Sequence, residues 1–186
     1  MFQRSGRFVK KEGHIMFDII IIGGGPAGLT AALYGRRQNK SVLVLEKNSF
    51  GGQTVFSPKI ENYPGFVEMS GMEFSDKLVD QVLKQGADLR METAVEITDL
   101  GKTKKVTTDC GEYESRTVII ATGAKHRLLG LEGEEELIGN GISFCAVCDG
   151  AFYAGRDVAV IGGGNSALQE AILLSESCHA VQIIQN

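Results

Sequence analysis

Twice in this chain a short apolar run feeds straight into a glycine fingerprint and then into a helix-forming stretch. The first pass is residues 17–22 followed by Gly23-x-Gly25-x-x-Gly28; the second is residues 157–161 followed by Gly162-x-Gly164-x-x-Ala167. Few arrangements accept that order of parts. Gly23 permits a tight turn, Gly25 lets backbone approach a pyrophosphate, and Gly28 lets helix and strand pack closely. Phosphate would rest on the open N–H groups at the helix start, helped by the helix dipole. Pro26 suits the first helical turn, where its missing N–H costs nothing, and Ala27 continues it. The next strand, residues 41–45, ends at Glu46, near the spacing of about 20 residues at which a carboxylate accepts ribose hydroxyls. A lone glycine fingerprint is weak evidence; with strand, helix, strand and acid in place it predicts a dinucleotide site.

In the second pass Ala167 is an accepted variant at the third position, and Asn165 and Ser166 lie between. Gln185 stands where Glu46 stands in the first pass. An acid there would favour NAD and a nearby arginine NADP; Gln185 and Asn186 are neither. The pattern therefore leaves the nicotinamide preference open.

Between the two passes, Gly51-Gly52-Gln53 and residues 62–65 read as loops. Residues 73–86 carry Leu78, Val79, Val82 and Leu83 on one stripe, a helix stopped by glycine. Residues 91–108 alternate as strands, 109–112 read as a hairpin turn, and 117–121 as a buried strand broken by Thr122-Gly123-Ala124. The fold class is α/β, with two Rossmann-like dinucleotide-binding units of three layers, the second incomplete. The expected division is a first dinucleotide domain over 16–125 and the start of a second over 126–186. Residues 1–15 carry Arg4, Arg7, Lys10 and Lys11 without a period. They are set aside as translated leader, with Met16 as the expected start, because Lys11-Glu12-Gly13 can be encoded by a purine-rich stretch resembling a ribosome-binding site. A transit peptide is the alternative.

The net charge of -4 gives no basic footprint for nucleic acid. The apolar run 19–22 near the start is far too short to span a bilayer. Four cysteines without a convincing secretory signal point to redox or metal chemistry in a reducing, cytoplasmic compartment.

Between the fingerprints, two of those cysteines are paired in Cys145-Ala146-Val147-Cys148-Asp149-Gly150. That spacing suits a disulfide that forms and reduces easily. Zinc is the rival reading, but a structural zinc site needs four ligands, and Cys110, Cys178, His14, His126 and His179 do not pair at knuckle spacing. These five read as bystanders, and Met69, Met72 and Met91 as packing. Asp149 either caps a turn or, partly desolvated beside a flavin and the two sulfurs, transfers protons.

With Gly23 to Gly28, Gly51-Gly52-Gln53, Glu61-Asn62-Tyr63-Pro64-Gly65, Ala121-Thr122-Gly123-Ala124, the Cys145–Gly150 motif and Gly162 to Ala167, the chain from Met16 on resembles the low-molecular-weight thioredoxin reductases. The resemblance implies that Gly23, Gly25, Pro26, Ala27, Gly28, Glu46, Gly52, Gln53 and Asn62 help bind FAD, with Ala121, Thr122 and Gly123 closing that segment. It implies NADPH at Gly162, Gly164, Asn165, Ser166 and Ala167. It further implies that Cys148 receives electrons from the flavin, that Cys145 attacks the partner's disulfide, and that Asp149 is the acid. Thioredoxin is the implied acceptor and a homodimer the implied assembly. Two departures stand beside it. The remaining nicotinamide domain and a returning FAD segment are not in the sequence, so an incomplete product that holds FAD poorly is expected. Where the family shows His-Arg-Arg after the second strand, Gln185 and Asn186 appear, leaving room for NADH or reduced ferredoxin. A peroxiredoxin reductase, a dithiol oxidase and a nucleotide-binding module without turnover are the alternative functions.

Overall fold

A computed structural model of the chain describes residues 9–11 and 14–185. Its contacts divide it into one unit up to Lys59 plus Glu68–Lys125, and another of Ile60–Val67 plus the chain from His126 on. The leader expected over 1–15 lies largely outside the described residues. Of it, β1 (Val9–Lys11) pairs antiparallel with the start of β2 (His14–Ile22), Val9 opposite Met16.

The first unit is a seven-stranded sheet in the order β4-β3-β2-β7-β6-β5, with β1 added to β2. α1 (Pro26–Arg37) connects β2 to the parallel β3 (Val42–Glu46), and α2 (Gly71–Lys84) connects β3 to the parallel β4 (Asp88–Met91). The chain then crosses to the other side of β2 as a meander of β5 (Ala94–Asp99), β6 (Lys104–Thr108) and β7 (Glu112–Ile120). β7 serves two neighbours: Glu112–Ser115 pairs antiparallel with β6, and 114–120 runs parallel to β2 from Glu114 beside Met16 out to Ile120 beside Ile22. That double duty is why the strand expected at 117–121 starts at Glu112.

Both faces of the parallel strands are covered, so 19–22 and 42–45 read as continuous apolar runs without alternation. Ile21, Val42 and Val44 face α1 and α2 through Leu29, Ala32 and Val82. Phe17, Ile20, Leu43 and Leu45 face the meander through Val106 and Tyr113. These are the three layers anticipated for the first unit. α2 begins two residues before the sequence pattern suggests, because Ser70 caps it by accepting the Glu73 N–H at 3.1 Å.

The second unit contains β8 (Asp157–Ile161) and β9 (Ala180–Ile184), parallel and in register over five pairs, joined through α4 (Asn165–Ser175). Ahead of them lies α3 (Ala146–Asp149), one turn long. The mostly irregular stretch before α3 is clasped by Glu134. Its buried carboxylate accepts the N–H groups of Leu129 at 2.8 Å, Gly130 at 2.7 Å and Leu131 at 3.2 Å. Those donors, Leu129 foremost, hold its pKa below the ordinary carboxylate value. A lowered folded-state pKa means stability that is present above about pH 4.3 and is lost as acid protonates the group. Glu134→Gln should therefore loosen this loop at pH 7, and the difference from the parent should vanish on acidification. Hydrogen exchange of residues 129–131 measures it; a gap of equal size at both pH values would contradict it.

Candidate dinucleotide and redox sites

The first fingerprint occupies the carboxyl edge of the sheet, where the order reverses between β2 and β7, the usual place for a ligand in an open α/β sheet. The strand ends are tied together there: Gly23 N–H donates to the Leu45 carbonyl at 2.8 Å and Ala121 N–H to the Ile22 carbonyl at 2.8 Å. Gly23 turns with φ +111°, and a Cβ on it would overlap the Ala121 carbonyl. A Cβ at Gly28 would overlap the Gly23 carbonyl oxygen, so α1 can lie this close to the turn only with glycine there. Gly25 precedes α1 without a capping side chain. Across from it stands Gly52, whose Cα lies 3.8 Å from where a Gly25 Cβ would sit. A side chain on Gly25 would project toward Gly52; two bare backbones leave a cradle that suits a pyrophosphate.

The neighbouring loop is stitched to this cradle. Gly51 N–H donates to the Gly24 carbonyl at 2.8 Å, and Gln53 Nε2 donates to the Ala124 carbonyl. Glu46 uses both oxygens locally: Oε2 accepts the Gly24 N–H at 2.7 Å and Oε1 the Asn48 N–H at 3.0 Å. Each carboxylate oxygen has a second lone pair, so the group remains able to accept ribose hydroxyls while the backbone fixes its direction. Ala121 and Thr122 lie against Gly23, and Gly123 follows with φ +67°. Asn62 is grouped with the second unit.

The second fingerprint repeats the arrangement. Gly162, at φ +131°, donates its N–H to the Ile184 carbonyl at 2.9 Å, as Gly23 does to Leu45. Gly164 precedes α4, which opens with Asn165 and Ser166. Ala167 Cβ lies 3.5 Å from the position a Cβ would take on Gly162, ordinary van der Waals contact. The Gln185 side chain lies against Gly163 much as Glu46 lies against Gly24. A neutral carboxamide thus occupies the acid's place.

The redox turn is built on α3. Cys145 and Cys148 are joined as a disulfide, with Cα atoms 5.3 Å apart. Cys145 is the N-cap, its Sγ accepting the Cys148 N–H at 3.2 Å, and its carbonyl accepts the Asp149 N–H at 3.0 Å. Cys145 is half-buried and Cys148 exposed. Gly150 lets the turn approach α4, since a Cβ there would come within 3.1 Å of Leu174 Cδ2. Ser143, which the sequence pattern did not single out, bonds to Asp149 Oδ2 at 2.5 Å and to the Cys145 N–H at 3.1 Å. A serine two residues before the first cysteine was the only available signal. His126, expected as an isolated surface residue, stacks on Phe144 with centroids 4.2 Å apart. His179 contacts Asp157 at 2.6 Å on the exposed edge of β8–β9. Of the remaining cysteines, Cys110 is exposed on the β6–β7 turn and Cys178 contacts the Tyr153 carbonyl at 3.4 Å. Among the described residues no cluster of His, Cys, Asp or Glu has metal-binding geometry, and no helix is long and apolar enough to cross a membrane.

The sequence profile of the pyridine nucleotide-disulphide oxidoreductases matches residues 17–186. The chain belongs to this family. The thioredoxin reductase of Listeria monocytogenes is 46% identical over 169 residues, covering 91% of this chain and 53% of that protein. The bifunctional thioredoxin reductase/thioredoxin of Mycobacterium leprae is 45% identical, over 90% of this chain and 37% of that protein. The crystal structure of Streptococcus pyogenes thioredoxin reductase superposes with a TM-score of 0.87 at 46% identity, covering 90% of this chain and 55% of that one. This family member thus spans about half the length of the Listeria relative.

Proposed function

We propose that this chain carries the first dinucleotide site, the redox pair and the opening of the second dinucleotide site of a FAD-dependent dithiol/disulfide oxidoreductase of the thioredoxin reductase type. The observation that carries the reading is the Cys145–Cys148 disulfide closed across a turn that ends in Asp149, in a chain with a glycine cradle on either side. Residues 16–125 form the FAD domain and 126–186 the start of the nicotinamide domain. Gly23, Gly25, Pro26, Ala27, Gly28, Glu46, Gly52, Gln53, Asn62, Ala121, Thr122 and Gly123 would hold FAD. Gly162, Gly164, Asn165, Ser166 and Ala167 would hold NADPH or NADH. Bound flavin supplies two-electron transfer between a nicotinamide and a sulfur pair.

The chain's own residues account for the rest. The backbone N–H groups of the α1 turn receive the pyrophosphate, and Glu46 orients a ribose. Cys145 and Cys148 store two electrons as a dithiol and release them on closing. Asp149 holds the proton exchanged with a sulfur as the pair opens and closes. Thioredoxin or a thioredoxin-like protein is the acceptor, in keeping with the names of the Listeria and Mycobacterium relatives. The protein works as a cytoplasmic homodimer. Gln185 favours neither nicotinamide, and a ferredoxin-linked donor is the second reading, resting on that neutral side chain.

Two measurements on this chain test the proposal. Titration with FAD should quench flavin fluorescence along a weak but saturable curve, as expected of a chain that holds FAD poorly, and Glu46→Ala should weaken it about tenfold further, the worth of a hydrogen bond to a charged group. The reduced chain should then convert one equivalent of thioredoxin disulfide to dithiol. FAD binding without transfer to thioredoxin would favour a peroxiredoxin or oxygen-linked relative. Transfer without FAD binding would remove the flavin assignment.

A further inference from the structure

We propose that Ser143 is a positioning residue of the redox turn, holding the Asp149 carboxylate in register with the Cys145–Cys148 pair. The inference deepens the functional reading above and rests on it.

The geometry centres on one oxygen. Ser143 Oγ lies 2.5 Å from Asp149 Oδ2, 3.1 Å from the Cys145 amide nitrogen and 3.4 Å from the Cys145 carbonyl. A hydroxyl has one proton and two lone pairs. The shortest contact takes the hydroxyl proton, so Ser143 donates to Asp149 Oδ2, which leaves Oδ1 to carry the acid's proton, and it accepts the Cys145 N–H. The carboxylate at the far end of α3 is thereby fastened to the backbone of the first cysteine. Asp149 has a second tie to the same residue, its own N–H donating to the Cys145 carbonyl at 3.0 Å. Backbone and side chain of the proposed acid are both referenced to the residue that bears one of the two sulfurs.

Chemistry asks for that reference. When a dithiol reductant opens the disulfide, its thiolate attacks one protein sulfur and the other leaves as a thiolate. The reductant closes to its own disulfide, and the protein gains two electrons and two protons. The leaving sulfur takes its proton from a nearby acid, and the rate depends on that acid being placed before the bond breaks. An unfastened aspartate samples several rotamers. Ser143 is exposed, so its hydroxyl is not there to fill space or to satisfy a buried group. Its contacts with Asp149 Oδ2 and the Cys145 N–H are the segment's reason for a serine.

The test uses the whole chain and needs no cofactor. Ser143→Ala, Ser143→Thr, Asp149→Asn and the Ser143→Ala/Asp149→Asn double variant would be oxidised and mixed with dithiothreitol at fixed pH. New thiols would be trapped over time, and thermal melts recorded alongside. Ser143→Ala should open the disulfide about tenfold more slowly with an unchanged melt. Ser143→Thr should stay within about twofold of the parent, because the hydroxyl is kept at an exposed position. In the Asp149→Asn background, adding Ser143→Ala should change nothing further, the signature of two groups acting as one. Equal slowing by Ser143→Ala with and without Asp149, or no slowing beside a slow Asp149→Asn chain, overturns the role of Ser143 alone. An Asp149→Asn chain as fast as the parent overturns the acid assignment and Ser143 with it. If Ser143→Ala lowers the melt, the threonine variant and the double variant still decide: rescue by threonine without coupling to Asp149 marks a purely structural serine and refutes the proposal.

Discussion

Gly28→Val should cost this chain more stability than any substitution on its surface and should abolish FAD binding. A Cβ at Gly28 would overlap the Gly23 carbonyl oxygen and come within 3.3 Å of Ile21 Cγ2. Neither obstacle can yield cheaply. Gly23 is fixed by φ +111° and by its N–H bond to Leu45, and Ile21 is fully buried between β3 and the helices. The strain can be relieved only by lifting α1 from the sheet, which opens the contacts of Leu29 and Ala32 with Val42, Val44 and Val82. Overpacking of this kind costs about 3 kcal/mol, and more where backbone must move. Lifting the helix also withdraws its first N–H groups from the cradle, so affinity falls with stability. Gly111→Ala is the matching control, since Gly111 has ordinary φ and nothing within 4 Å of a new Cβ. Urea denaturation and flavin-fluorescence titration of both variants would settle the point. A Gly28→Val chain as stable as Gly111→Ala would mean that α1 does not depend on the close approach at all.

The elements that were legible in the sequence are those whose residues have one physical use. A glycine at Gly23 or Gly28 is demanded by a positive φ or by an overlapping carbonyl, and the runs 19–22 and 42–45 are apolar because both faces of a parallel strand are covered. Such constraints act within a dozen residues, so they survive in linear order. The Cys-x-x-Cys spacing belongs to the same class, because the two sulfurs meet across one turn. What escaped depends on groups brought together from further off, or on side chains with many uses. Ser143 is one serine among several until its oxygen is seen between Cys145 and Asp149. His126 reaches its stacking partner Phe144 only because the intervening stretch folds back, with Glu134 holding residues 129–131. From the sequence β7 reads as a short strand because its first half is polar and pairs with the meander, a partner that periodicity cannot name. Gln185 selects no ribose substituent for a related reason: a carboxamide donates as well as accepts.

Cys148→Ser should convert the chain from a two-electron carrier into a trap. In the parent, a thiol that has formed a mixed disulfide with an acceptor is released when the second sulfur attacks, closing the pair and freeing the reduced acceptor. The 5.3 Å Cα separation within one turn of α3 keeps that second sulfur always within reach. With serine at 148 no resolving thiol remains there, and reaction of Cys145 with an oxidised acceptor stops at the mixed disulfide. The proposed function makes Cys145 the first nucleophile, and its sulfur accepts the Cys148 N–H at 3.2 Å. Serine at 148 keeps this backbone donor, so the attack itself survives. Beyond adducts at the free Cys110 and Cys178, the reduced Cys148→Ser chain should therefore retain about one equivalent of thioredoxin or of an aromatic disulfide's thiol at Cys145, while Cys145→Ser reacts about tenfold more slowly through Cys148. Mass spectrometry of the quenched mixtures counts the adducts directly. Faster trapping by the Cys145→Ser chain would exchange the roles of the two sulfurs, since the exposed Cys148 would then be the one that meets the acceptor. No adduct at Cys145 or Cys148 on either variant would mean that the pair does not exchange with external disulfides, and the oxidoreductase reading would fall with it.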